Sequence, residues 1–233
     1  MDTLNSTTKV RFFYRLAIDV NREFRVLMNI YFVILLAMKV KIVTTYKSLI
    51  NINKMLDFYR IINVYDPMFS RLYNLYTASF PHPERRSWDG LMHELIYEKR
   101  FFCNALLQEN EFVGFLNYWK FEKFYYIEHF AVQEKMRGNH IGSKAIEMLK
   151  QQSKVPIVFE VELPVDELTK KRVHFYERLG FTLLVQEYAQ PAYIDDETQV
   201  PMKLMCNDKT FGNENFKSIK DTLYNDVYEI LTP

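Results

Sequence analysis

Between Phe130 and Ser143 the chain reads Phe-Ala-Val-Gln-Glu-Lys-Met-Arg-Gly-Asn-His-Ile-Gly-Ser, an apolar stretch running through a basic, glycine-containing loop into a helix. The helix is set by Ile141, Ala145, Met148 and Leu149, which recur at helical spacing on one face. A loop of this kind places unpaired backbone N–H groups at the positive end of a helix dipole, a setting that suits a phosphate. Gly138 and Gly142 let backbone approach an anion, and Arg137 adds a charged donor. Taken alone, the segment reads equally well as an ordinary turn.

The surrounding pattern is that of a mixed α/β domain starting near Met55. Leu56 to Val64 reads as a strand, and Asp66-Pro67 opens a helix carrying Met68, Leu72, Leu75 and Tyr76 to about Ser79. Ser87 caps a second helix through Glu98. Three strands follow, Phe101 to Leu107, Phe112 to Trp119 and Phe124 to Val132, with turns short enough to imply antiparallel hairpins. Beyond the glycine loop come a strand over Ile157 to Leu163 and a helix from Glu167 to Leu179, capped by Asp166 and ended by Gly180. Strands over Phe181 to Glu187 and Val200 to Cys206 flank a loop with Pro191 and Tyr193. An amphipathic helix carrying Ile219, Leu223, Val227 and Ile230 is expected on the outside, so residues 208–233 form a C-terminal appendage to a domain of residues 55–207.

Residues 1–54 differ in kind. Lys9, Arg11, Arg15, Arg22 and Arg25 precede an apolar run from Val26 to Met38, too short to span a bilayer unaided. Extending it to Val43 admits Lys39 and Lys41, and no Ala-x-Ala-like cleavage site follows. This stretch is read as an extension, with membrane association of residues 26–43 as a less favoured alternative.

Composition narrows the function classes. The 233 residues carry 30 Lys and Arg against 29 Asp and Glu, a formal charge of +1, so no gross field recruits nucleic acid. Two cysteines without a CxxC or His-Cys cluster offer neither a disulfide framework nor a zinc site, and point to a reducing cytoplasm.

Some thirty residues after the glycine loop, His174-Phe-Tyr-Glu-Arg-Leu-Gly-Phe181 is a helix end, a capping glycine and a strand start. The two segments together resemble the GNAT superfamily of N-acetyltransferases. Arg137, Ile141 and Gly142 match its Arg/Gln-x-x-Gly-x-Gly/Ala signature, and Phe175 to Phe181 match its Phe-Tyr-Glu-Lys-Leu-Gly-Phe helix end almost letter for letter. The chain departs from the pattern at His140, where the middle glycine stands, and at Pro164, near where many relatives carry Asn. The resemblance implies the GNAT fold, a central, mostly antiparallel sheet flanked by helices, and acetyl-CoA as cosubstrate. It also implies a pyrophosphate held across Arg137, Gly138, Asn139, His140, Ile141, Gly142 and Ser143, and a pantetheine arm along the strand ending Phe130-Ala-Val132, where two strands splay apart. The implied reaction acetylates a small-molecule or peptide amine in a ternary complex, as a monomer or homodimer and with no metal. A domain that binds acyl-CoA as a sensor is the alternative.

An acceptor ammonium has a reference pKa near 10, so a base must take its proton before attack. Glu128 is the first candidate and His129 the second; strand alternation places them on opposite faces. Glu160 and Glu162 share a face of the next strand and are further candidates. Tyr176 matches the family tyrosine that protonates the leaving thiolate.

Overall fold

The computed structural model describes residue 31 and residues 33–42, 55–193 and 199–229, in a chain that divides into two units, Met1–Lys54 and Met55–Pro233. In the first unit the described residues form a helix, α1, with every described side chain exposed. Among the described residues no helix is long and apolar enough to cross a membrane. The rest of the segment expected to be an extension lies outside the described residues.

The second unit is built on one sheet. Its strands are β1 (Leu56–Arg60), β2 (Phe101–Phe102), β3 (Asn104–Gln108), β4 (Glu111–Lys120), β5 (Tyr125–Val132), β6 (Ile157–Glu162), β7 (Thr182–Leu183), β8 (Tyr188–Pro191) and β9 (Gln199–Cys206). They lie in the order β1-β3-β4-β5-β6-β9-β7, with β2 against β4 and β8 against β9. Only β5 and β6 run parallel, which is what the intervening helix α4 (Ile141–Gln152) requires. Helices α2 (Pro67–Ser79) and α3 (Trp88–Tyr97) precede β2, α5 (Glu167–Glu177) follows β6, and α6 (Lys209–Glu214) and α7 (Phe216–Thr222) follow β9.

Local chemistry sets most boundaries. Asp66 accepts the N–H of Met68 at the start of α2, Ser87 that of Gly90 at the start of α3, and Asp166 and Thr169 form a reciprocal capping box on α5. Gly180, at φ 83°, turns the chain out of α5. Side chains then sort by sheet face. Phe115, Trp119, Tyr126, Val158 and Leu204 join α2, α3 and the C-terminal segment in one apolar cluster; Leu116, Ile127, Phe159 and Val161 join α4 and α5 in the other.

Three expectations are corrected. The strand begun at Leu56 stops at Arg60, after which the Ile61 N–H bonds to the Cys103 carbonyl. The strand expected over Phe181 to Glu187 shrinks to Thr182–Leu183, while the expected loop holds β8; Pro191 is tolerated there because β8 is an edge strand. The C-terminal helix forms on the expected Ile219, Leu223 and Val227 face, but it passes from α7 into a π turn, Leu223–Val227, and belongs to the core rather than to the outside, burying Leu223, Tyr224, Val227 and Tyr228. Ile230 lies outside the described residues.

Candidate active site

β5 and β6 pair only over Tyr125–Ile127 and Ile157–Phe159. Past that point β5 stays with β4 as far as Val132, and β6 stays with β9 as far as Glu162, so the two strands part and a slot opens through the sheet. A cavity of about 490 Å³ fills it, walled by His129, Phe130, Glu160, Glu162, Tyr176 and Gln190 among others. A second hollow of about 480 Å³ shares Phe130, Val132, Arg137 and Phe175 with the first and runs over the start of α4.

That second hollow is lined by Arg137, Gly138, His140, Ile141, Gly142 and Ser143. Asn139 is exposed and does not line it; its amide donates to the Met136 carbonyl at 3.2 Å and braces the loop. Gly138 has φ 82°, and the chain enters α4 through His140 at φ 59°, a left-handed conformation that costs an L residue about 1–2 kcal/mol. The His140 ring stays exposed and makes no capping bond. The first bond of the helix runs from the Lys144 N–H to the His140 carbonyl, so the N–H groups of Ile141, Gly142 and Ser143 precede the ladder at the positive end of α4. Arg137 Nε donates to the Val132 carbonyl at 3.3 Å, tying the guanidinium to the end of β5. Gly142 sits between two rings: a Cβ there would lie 3.4 Å from Phe175 and 3.6 Å from Phe130.

The middle of β5 departs from the expected alternation. Asn117 of β4 pairs with His129 and the adjacent Tyr118 with Ile127, which leaves Glu128 as a bulged residue with no partner. Glu128 and His129 therefore both turn toward the face of α2 and α3. The Glu128 carboxylate accepts from Arg86 Nε at 2.8 Å, Trp119 Nε1 at 2.6 Å and Tyr193 Oη at 2.9 Å. Arg86 in turn bonds Glu94 at 2.8 Å and the Val227 carbonyl at 2.6 Å. Burial works to raise the Glu128 pKa, but Arg86, His129 and the indole bond outweigh it and hold the carboxyl below its ordinary range. The same guanidinium cannot satisfy two carboxylates equally, and burial pushes Glu94 up to about 7 despite Arg86. Glu128, the first candidate base, is a saturated and weakly basic carboxylate. Nothing local in the sequence marks Arg86, whose partners Glu128 and Val227 lie 42 and 141 residues away.

His129 is also engaged. Its ring meets those of Tyr76 and Phe80 edge-on at 4.7 Å, and Nε2 lies 2.8 Å from the Glu84 carbonyl, which fixes the proton on that nitrogen. Burial lowers its pKa.

Two groups remain poised at the slot, one on each face of the sheet. Tyr176 packs on Phe159 at 4.4 Å on the side of α4 and α5, and burial lifts its phenol to about 12. Glu160 lies on the other side, its carboxylate accepting from Tyr188 Oη and, at 2.7 Å, from Tyr228 Oη. Burial pushes its pKa up to about 7 while these tyrosine bonds pull it back. Glu162 pairs with Arg172. Glu84 is half-buried, raised by burial and by Glu162, and its carboxylate has no hydrogen bond or ion pair among the described residues. Away from the slot, His93, Glu94 and Glu229 bring three ligand atoms within 4.8 Å of one another, with Glu94 already taken by Arg86.

Residues 69–181 match the model of the acetyltransferase (GNAT) family. A solved protein from Bacteroides thetaiotaomicron, described as a GNAT-family acetyltransferase, has a TM-score of 0.71 to this chain and is 34% identical, covering 75% of this chain and 99% of its own. YjbC of Bacillus subtilis (strain 168), named as an acetyltransferase, is 41% identical over 69 residues, 28% of this chain. The match spans 35% of YjbC, about a third of its length. Agreement in backbone and in a third of the residues along nearly all of the Bacteroides protein is agreement in descent as well as shape, and the chain belongs to the GNAT acetyltransferase family.

Proposed function

We propose that the protein transfers the acetyl group of acetyl-CoA to a primary amine by direct attack within a ternary complex. The observation that carries this reading is the slot between β5 and β6, with Tyr176 on one face of the sheet and Glu160 on the other. The chain's own groups divide the work accordingly. The N–H groups of Ile141, Gly142 and Ser143, with Arg137, hold a pyrophosphate at the end of α4, and the short side of Gly142 keeps that approach open. The free edge of β5 from Glu128 to Val132 offers backbone donors and acceptors to an extended arm, much as a sheet edge takes an added strand. A β5 N–H near Phe130 polarises the thioester carbonyl.

Acetyl-CoA supplies the activated acyl group; the protein supplies the proton transfers. Glu160, with a pKa of about 7, is deprotonated enough at neutral pH to accept a proton from an ammonium and basic enough to pull it. This moves the base from Glu128 to Glu160. Tyr176, held protonated by burial, gives its proton to the departing sulfur. On the acceptor side Glu84 lines the cavity beside Glu160 without an ion pair among the described residues, a carboxylate that favours an amine arriving as its cation, while Glu162 is matched by Arg172 on the same wall.

Calorimetric titration with CoA and coupled release of free thiol across a panel of small amines and short peptides tests the reading. Tyr176→Phe should bind CoA as the wild type does and lose about 10²–10⁴ in kcat. CoA binding with no acetyl transfer to any amine in the wild type would make the chain a binding domain instead.

A further inference from the structure

Tyr188 and Tyr228 lie outside the residues that match the family model, on β8 and on the C-terminal segment, yet both reach the slot. We propose that Tyr188 and Tyr228 are positioning residues for Glu160, clasping opposite oxygens of its carboxylate so that it is held charged and aimed at the acceptor. The inference rests on the reading of Glu160 as the base and adds what makes that base usable.

The geometry is specific. Tyr188 donates to Oε1 and Tyr228 to Oε2, so each carboxylate oxygen has one phenolic donor. Tyr126 on β5 is a third phenol facing the group, its Oη 3.1 Å from Tyr228 Oη and its own pull also lowering the Glu160 pKa, and the Tyr193 ring packs 4.9 Å from the Tyr228 ring. The charge that faces this group is Glu128, also on β5, which disfavours ionisation of Glu160. A carboxylate buried beside a second carboxylate would stay protonated at neutral pH without donors; the tyrosines are the groups that oppose this.

The C-terminal segment is shaped to deliver Tyr228. The Tyr228 N–H reaches back five residues to the Leu223 carbonyl at 3.0 Å, a π turn that brings Leu223, Tyr224, Val227 and Tyr228 all into the core. Arg86 Nη2 grips the Val227 carbonyl next to Tyr228. The segment is thus anchored by the same guanidinium that bonds Glu128.

The test is a pH titration of the full chain labelled with ¹³C at the glutamate carboxyls, the Glu160 signal being the one absent from Glu160→Gln. Tyr228→Phe removes one donor to the charged form and should raise the Glu160 midpoint by about 1 pH unit; Tyr188→Phe should do the same. Tyr224→Phe is the control, because its hydroxyl bonds the Ala189 carbonyl at 2.6 Å on the same segment without touching Glu160, and its midpoint should match the wild type. An unmoved midpoint in both Tyr188→Phe and Tyr228→Phe, or an equal shift in Tyr224→Phe, overturns the proposal. The acid limb of kcat/KM for acetylation of benzylamine should follow the same midpoints. A Glu160→Gln enzyme that keeps this limb would refute Glu160 as the base, and that failure is separate from a failure of the carboxyl midpoint to move.

Discussion

Arg86 is the group whose removal should cost the fold most. Its side chain is 8% exposed, and its partners Glu128 and Glu94 are 0% and 5% exposed, so the pairs are sheltered from solvent screening. Arg86→Met keeps the apolar stem but leaves the Glu128 carboxylate buried with two neutral donors, Trp119 and Tyr193, and no cation. Breaking a buried pair this way costs about 3–5 kcal/mol, because a charge is stranded rather than because the pair itself was strongly stabilising. For a unit of this size the loss is roughly 10 °C in Tm. The sign with pH follows from Glu128. In the wild type its pKa is held below the ordinary range, so the pair's contribution is complete above the unfolded carboxylate pKa, about 4.3, and is lost as pH falls through the folded value. In Arg86→Met the stranded carboxyl titrates above that range instead, so the variant recovers stability as acid neutralises it. Urea unfolding followed by the fluorescence of Trp88 and Trp119 at pH 8 and pH 5.5 reads both effects. The penalty should be smaller at pH 5.5, and Glu128→Gln introduced on top of Arg86→Met should restore stability rather than subtract from it. A penalty under about 1 kcal/mol, or a double variant weaker than Arg86→Met alone, would refute the reasoning.

Two further outcomes follow from local geometry. His140→Gly relieves a left-handed residue at the entry to α4 at the expense of a more flexible unfolded chain, and should gain about 0.5–1 kcal/mol in urea melts; a loss would mean that the imidazole makes a contact worth more than the strain. Glu94 and Glu160 both sit at about 7 in the fold, above their unfolded value, so the native state holds more protons than the unfolded one between about pH 4.3 and 7. The wild-type urea midpoint should therefore fall as pH rises through that window and level off above it, and Glu160→Gln should flatten the slope.

What could be read from the sequence is what short stretches of chain decide by themselves. Asp66, Ser87 and Asp166 cap the helices they precede because an N-cap is settled within three residues, and Gly180 ends α5 because only its own φ is at stake. The loop from Arg137 to Ser143 belongs to the same class, which is why six of its seven residues line the hollow over α4. The hairpins of β3, β4 and β5 were legible for a related reason: turns this short dictate antiparallel neighbours.

The acceptor half of the site was not legible, and the reason is physical. Strand periodicity assumes that every residue of β5 has a partner on β4, and a single bulged residue, Glu128, breaks that assumption without any letter to announce it. One extra residue is enough to bring Glu128 round beside His129 and into reach of Arg86, which leaves it a weakly basic carboxylate at the cavity wall. Proline at 191 reads as a loop residue because the missing N–H is a defect inside a sheet; on an outer strand it is harmless, and β8 can then carry Tyr188 to Glu160. Tyr228 comes from 68 residues away along the chain, and the π turn brings it into the core although it lies off the Ile219, Leu223 and Val227 stripe that periodicity picks out. The division follows from how the two substrates differ: a cosubstrate common to a family is met by a local motif that can be inherited as a unit, whereas an acceptor is met by side chains gathered from β5, β6, β8 and the C-terminus. Each of these is free to change alone. On the reaction proposed above, Glu160 and its two tyrosines, carried by three separate elements, are therefore where a change of amine is to be sought, rather than in the loop at α4.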